Sequence, residues 1–141
     1  MIQETLAIVK PDAFGAGKAG RILAQLEGEG FRILGARVLH LSRQQAGEFY
    51  AVHRERPFYD SLVRFMTSGP CMPLALERED AVAHLRRVMG ATDPAKADPG
   101  TLRAQHAESI ERNAIHGSDS PENAEKELAF FFGYADRIAA R

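Results

Sequence analysis

The chain has 141 residues, 45% of them apolar and 26% charged, with a net charge of −1. Those are ordinary values for one globular domain, taken as residues 1–141, and so weak a charge gives no field for drawing in nucleic acid or anionic lipid. One cysteine, Cys71, excludes an intrachain disulfide and suits a reducing compartment, the N-terminus lacks the marks of a secretory signal, and no segment approaches the ~18 apolar residues of a membrane span, so a cytoplasmic protein is expected.

The elements alternate along the chain. Residues 5–9 are a short apolar run of strand type, closed by Pro11 and followed by a turn-rich stretch to Gly17. Residues 21–29 carry Ile22, Leu23 and Leu26 at helical spacing and end at Gly30. Residues 31–41 are rich in apolar side chains with partial alternation, which predicts a strand. Ser42, with Gln45 three residues on, is a capping-box start for a helix carrying Ala46, Phe49 and Tyr50. Pro57 is expected to open the next helix, with Leu62, Phe65 and Met66 inward. Thr67-Ser-Gly-Pro70 reads as a turn into a third strand over residues 71–76. Residues 81–89 predict a helix with Val82, Leu85 and Met89 inward and Gly90 at its end. Residues 91–100, with Pro94, Pro99 and Gly100, predict a long loop of functional kind. Thr101 caps a short helix, residues 113–116 form the last strand, and Ser120 caps a final helix with Pro121 at its first position and Leu128 and Phe131 inward.

Three features bear on chemistry. Gly15-Ala-Gly-Lys-Ala-Gly20 matches the GxGxxG pattern of dinucleotide binding, but Ala19 replaces the hydroxyl of a phosphate loop and no acidic residue ends the following strand. A glycine-rich connection into a helix is the simpler reading, with an oxidoreductase as the alternative. Lys10, Arg86 and Arg103 sit near element ends, with Tyr50, Thr92 and Asn113 as uncharged donors. Such a set suits a polyphosphate if it converges, and is otherwise solvated surface charge. The stretch Asn113-Ala-Ile-His-Gly-Ser-Asp-Ser120 sets His116 among small polar residues before a helix start, a setting for a nucleophilic imidazole.

Several motifs in order resemble the nucleoside diphosphate kinase family. They are Thr5-Leu-Ala-Ile-Val-Lys-Pro-Asp12, Phe49-Tyr-Ala-Val-His53 with Arg56-Pro-Phe58, Phe65-Met-Thr-Ser-Gly-Pro70, Met89-Gly-Ala-Thr-Asp-Pro94, Pro99-Gly-Thr-Leu-Arg103, the stretch from Asn113 to Ser120, and Glu125-Lys-Glu-Leu-Ala-Phe-Phe-Phe132. The resemblance implies an α+β fold, a ferredoxin-like sandwich with a four-stranded antiparallel sheet and packed helices. It implies ping-pong transfer of a γ-phosphoryl group from a nucleoside triphosphate to His116 and on to a nucleoside diphosphate.

By the same resemblance Nδ1 of His116 attacks, Glu127 holds the other ring nitrogen, Ser118 supports Glu127, and Gly117 leaves room beside the ring. Lys10, Tyr50 and Arg103 would attend the transferring group, and Arg86 and Thr92 the β-phosphate. Lys10 and Asn113 would reach the sugar hydroxyls. Phe58 would stack on the base beside Leu62 and Ile110, with broad base tolerance because every base has a π-face. Magnesium would sit mainly on phosphate oxygens and waters, with Asp119 at most an outer partner and no direct protein ligand. A homo-oligomer is implied, and the short stretch after the last helix favours a tetramer over a hexamer. His40, His53, His84 and His106 read as surface or packing residues, and Pro11 and Asp12 as shaping the turn that presents Lys10.

The chain departs from the family pattern at Cys71-Met-Pro73, where a β-branched run is usual. Pro73 has no N–H to give a ladder, so its nitrogen is expected to face no partner strand. No catalytic position is substituted, which weighs against the other alternative, a non-catalytic nucleotide-binding or regulatory protein on the same fold.

Overall fold

In the computed structural model, which describes residues 1–138, the first apolar run forms β1 (Ile2–Val9) inside a four-stranded sheet. The last three residues of the expected 1–141 domain lie outside the described range. β1 pairs along its length with β3 (Met72–Glu79) and at its C-terminal end with β4 (Ile115–Gly117). β3 pairs on its other side with β2 (Arg32–Ala36), so the order is β2-β3-β1-β4 and every pair is antiparallel.

Thr5 to Val9 are all fully buried. A strand covered on both faces needs apolar side chains at nearly every position, which is why this run is continuous rather than alternating. The pleat divides those side chains between two layers. Ala7 and Val9 join the core that holds Ile22 and Leu26 of α2 (Ala19–Gly28) and Leu85 and Met89 of α5 (Ala81–Met89). Leu6 and Ile8 join the opposite core, with Ala46 of α3 (Arg43–Phe49), Phe65 and Met66 of α4 (Tyr59–Met66), and Leu128 and Phe131 of α7 (Pro121–Phe131). Each fully buried Leu or Ile contributes about 1.5–3 kcal/mol. The architecture is the expected ferredoxin-like α+β sandwich, with α2 and α5 as crossover helices on one face. The other face carries α3, α4 and α7.

The helix starts follow their local chemistry. Ser42 and Gln45 form the full capping box on α3. Thr101 accepts from the Ala104 N–H at the start of α6 (Leu102–His106), and Ser120 accepts from the Asn123 N–H with Pro121 in the first turn of α7. Gly90 ends α5 at φ 85°, and a Cβ there would lie 2.5 Å from the Thr101 hydroxyl, so glycine is required twice over.

Elsewhere the structure corrects the sequence reading. The turn-rich stretch after Lys10 contains a short helix, α1 (Pro11–Gly15), because proline's fixed φ suits a first helical turn. The GxGxxG match therefore spans the end of α1 and the start of α2, not a strand-to-helix turn. The helix expected from Pro57 starts at Tyr59, with Phe58 at its N-cap. The loop over residues 91–100 holds a 3-10 turn, Pro94–Lys96, capped by the Asp93 carboxylate.

The strand expected over residues 31–41 is cut to five residues, and Pro73 supplies the reason. The Arg37 N–H donates to the Pro73 carbonyl at 3.1 Å, but Pro73 has no N–H to return. The regular ladder stops at Ala36 and resumes as a single bridge, Leu39 with Cys71. The nitrogen of Pro73 thus faces the first residue past the end of β2. The last strand begins at Ile115 rather than Asn113, since Ala114 adopts φ 75°. Among the described residues no helix is long and apolar enough to cross a membrane.

Candidate active site

β4 does most of the positioning. Its register sets His116 opposite Ile8, with Ile115 and Gly117 on the neighbouring pairs. Alternation sends Ile115 into the α2–α5 core and the His116 side chain to the face covered by α3, α4 and α7. There its Nε2 lies 2.8 Å from Oε1 of Glu127 on α7. The same carboxylate oxygen accepts a 2.8 Å bond from the hydroxyl of Ser118, which is fully buried. A carboxylate only accepts, so Nε2 carries the hydrogen, and in the neutral ring that leaves the lone pair on Nδ1. The ring is packed edge-on against Phe49 and Tyr50 of the α3 end, with centroids at 5.5 and 6.3 Å.

Lys10 follows the last residue of β1, and the same register brings it to the start of β4. Its N–H donates to the Ala114 carbonyl, and its ammonium donates to Oδ1 of Asn113 at 2.8 Å in a buried contact. The Ala114 N–H donates to the Asp12 carboxylate, so Asp12 shapes the segment, as expected. These two bonds hold Ala114 in the left-handed region, at a cost of about 1–3 kcal/mol for a non-glycine residue, one residue from Ile115.

The cations repel one another. Burial, then the charge of Arg103, lowers the Lys10 pKa to about 8. Burial, then the charge of Arg86, lowers that of Arg103 to about 10. The Arg103 guanidinium is fixed by donating to the carbonyls of Gly90 and Ile115. Burial pushes the Tyr50 phenol well above its usual range, with Glu127 and Cys71 adding to the effect. Its hydroxyl therefore remains a donor, buried and without a partner among the described residues. Fixed, mutually repelling cations and an unused donor are an arrangement for binding a polyanion.

Most of these groups open on one cavity of about 860 Å³. Lys10, Tyr50, Phe58, Leu62, Arg86, Thr92, Arg103, Ile110, Asn113, His116 and Glu127 line it. Ser118 does not, since it lies behind Glu127. Phe58 and Ile110 are exposed at 47% and 60%, facing outward at the mouth, whereas Lys10 and Arg103 are 7% exposed inside. Asp119 also lines the cavity and accepts from Asn123 at 2.6 Å.

Some readings change. The room at Gly117 is taken by α5, not by the imidazole: a Cβ there would lie 2.8 Å from Met89 and 3.0 Å from Leu85. His53 lines the cavity, with its ring 5.2 Å from Phe58. Phe130 lines it too, while Phe131 and Phe132 are buried. Glu111 is a further lining residue, joined to Ser61 across 50 positions of sequence, and no local signal announces that pair.

A model of the nucleoside diphosphate kinase family matches residues 3–136. The chain belongs to this family. It is 54% identical to the nucleoside diphosphate kinase of Dechloromonas aromatica and 55% identical to that of Halorhodospira halophila, each over 140 residues covering 99% of both chains. Among solved structures it is similar to the Aquifex aeolicus nucleoside diphosphate kinase, with a TM-score of 0.96 at 44% identity over 98% of this chain and 100% of that one. A Halobacterium salinarum nucleoside diphosphate kinase in complex with CDP gives a TM-score of 0.95 at 36% identity, over 100% and 94% of the two chains. The chain is a phosphotransferase, and nucleoside di- and triphosphates are its substrates. The oxidoreductase alternative has no support left, because the glycine pattern starts inside α1 and not at a turn leading out of β1.

Proposed function

We propose that His116 carries the phosphoryl group between donor and acceptor. The observation behind this reading is the shared oxygen of Glu127, which accepts from His116 Nε2 and Ser118 Oγ and so leaves Nδ1 as the nucleophile of a cavity-lining ring. Nδ1 attacks the γ-phosphorus, the bond to the bridging oxygen of the diphosphate breaks, and a P–N bond forms. Glu127 steadies the Nε2–H as positive charge grows on the ring. The terminal oxygen of a second diphosphate then attacks phosphorus, the P–N bond breaks, and the imidazole is restored.

Lys10, Tyr50 and Arg103 stabilise charge on the transferring group, and Arg86 and Thr92 hold the β-phosphate. Phosphoryl transfer depends mainly on such positioning and charge stabilisation. Lys10 and Asn113 meet the sugar hydroxyls. Phe58, with Leu62 and Ile110, stacks on any base at the mouth. We further propose Mg2+ as the cofactor, bound mainly through nucleotide phosphates. The donor set suits such an ion, since the Glu127 carboxylate is engaged by His116 and Ser118, and Asp119 at the rim is engaged by Asn123. When bound, the ion neutralises phosphate charge.

A homo-oligomer, tetramer over hexamer, is proposed as the working form. β2 is an edge strand able to meet a second copy, and light scattering at four chain masses is the expected result. A cytoplasmic location is in keeping with the buried free thiol of Cys71.

Brief incubation with γ-labelled ATP tests the mechanism. The protein is expected to take up an acid-labile, base-stable label that chases onto added GDP. Uptake and transfer of label by His116→Ala would refute it.

A further inference from the structure

The glycine-rich stretch at residues 15–20 contains one lysine, Lys18, that has no part in the scheme above. Lys18 is the N-cap residue of α2, and its ammonium donates to the carbonyl of His106, the last residue of α6, at 3.3 Å. A helix leaves such carbonyls free at its C-terminus, where a cation is favoured. About two turns along the same face of α2, Gln25 reaches the other end of α6. Its amide donates to the Gly100 carbonyl at 2.9 Å, and its oxygen accepts from the amide of Gln105 at 2.9 Å. Gln105 donates to the same Gly100 carbonyl at 2.8 Å. α2 thus grips α6 just before its first turn and at its last residue.

Arg103 stands between the two grips. α6 has only five residues, too few to persist on its own hydrogen bonds. Leu102 anchors one side of it in the core beside Ile22 and Leu26. The Arg103 guanidinium is tied at its tip to Gly90 and Ile115, and the charge of Arg86 repels it. The backbone that carries Arg103 therefore has to be held against that repulsion. We propose that Lys18, Gln25 and Gln105 are positioning residues, which brace α6 against α2 and hold Arg103 where it meets the transferring phosphoryl group. The inference rests on the part given to Arg103 above, and it assigns the lysine of the glycine pattern to a helix end and not to a phosphate.

The test is the single-turnover rate at which the full-length protein takes up label from saturating γ-labelled ATP. Gln105→Ala, Gln25→Ala and Lys18→Met should each slow it by on the order of fivefold, with the half-saturating ATP concentration little changed. Lys18→Arg, which keeps a donor, should retain most of the rate. In an Arg103→Ala background the same substitutions should each cost less than about twofold, because the brace has nothing left to place. A merely structural role would slow both backgrounds by the same factor. Equal factors in the two backgrounds, an unchanged rate in Gln105→Ala or Lys18→Met, or a loss that more ATP restores, overturns the proposal. An unchanged rate in Arg103→Ala removes Arg103 from the scheme, and its brace with it. Failure of wild type to take up label overturns the phosphohistidine scheme itself.

Discussion

Lys10 shows most directly how tertiary context changes a residue. Its motif suggests a phosphate ligand, but motif alone leaves the ammonium at its ordinary pKa of 10.5. Burial and Arg103 bring it to about 8, so charged Lys10 destabilises the ligand-free fold. Because the folded pKa lies below the unfolded one, the penalty is fully present below about 8 and is relieved between about 8 and 10.5 as pH rises. It amounts to about 3 kcal/mol. In the proposed scheme nucleotide phosphates recover that energy by pairing with the charge. The kcat/KM for nucleoside diphosphate should therefore fall as pH rises through about 8, a free-enzyme limb that Lys10→Arg moves to higher pH. A limb unmoved in Lys10→Arg would assign it to another group. Ser61 and Glu111 likewise meet only in the folded chain, so nothing local in the sequence announces that pair.

At the scale of elements, helix starts were the most legible features. Ser42, Thr101 and Ser120 act as N-caps where the sequence puts them, because a cap is a contact within three residues. Strand limits were the least legible. Residues 31–41 look like one strand until Pro73, which is distant in sequence, withholds a ladder donor. α7 matters most to the site, since it carries Glu127. Ser120→Ala should cost about 1 kcal/mol and lower the melting temperature by a few degrees, while Ser120→Asp should keep most of the stability. Thermal melts of the two variants decide this, and equal losses would mean that the hydroxyl bond to Asn123 contributes little.

At the scale of the whole molecule, binding and stability are linked. The cavity is lined by Lys10, just past β1, and by residues of β4, α3, α4, α5, α6 and α7, so a nucleotide held there resists unfolding of the entire chain. GDP at one hundred times its dissociation constant should add about 2.7 kcal/mol. His116→Ala should retain the resulting rise in melting temperature, because in the proposed scheme His116 acts on the transferring phosphoryl group and not on the diphosphate. Lys10→Met should lose much of it. A rise equally large in Lys10→Met would remove Lys10 from the binding set.

By itself the sequence determined the caps, the buried run of β1, the amphipathic faces of α5 and α7 and, through its motifs, the family, from which the reacting residues are proposed. These depend on side chains within a few positions of one another, or on residue identity alone. The tertiary structure decided the sheet order, the truncation of β2, the φ of Ala114, the use of Gly117 as space for α5, the depressed pKa of Lys10 and the bracing of Glu111. Each arises between parts of the chain far apart in sequence, as Lys10 and Asn113 are by 103 positions. Strand register and burial bring such groups together, and only then do distance and desolvation act on them.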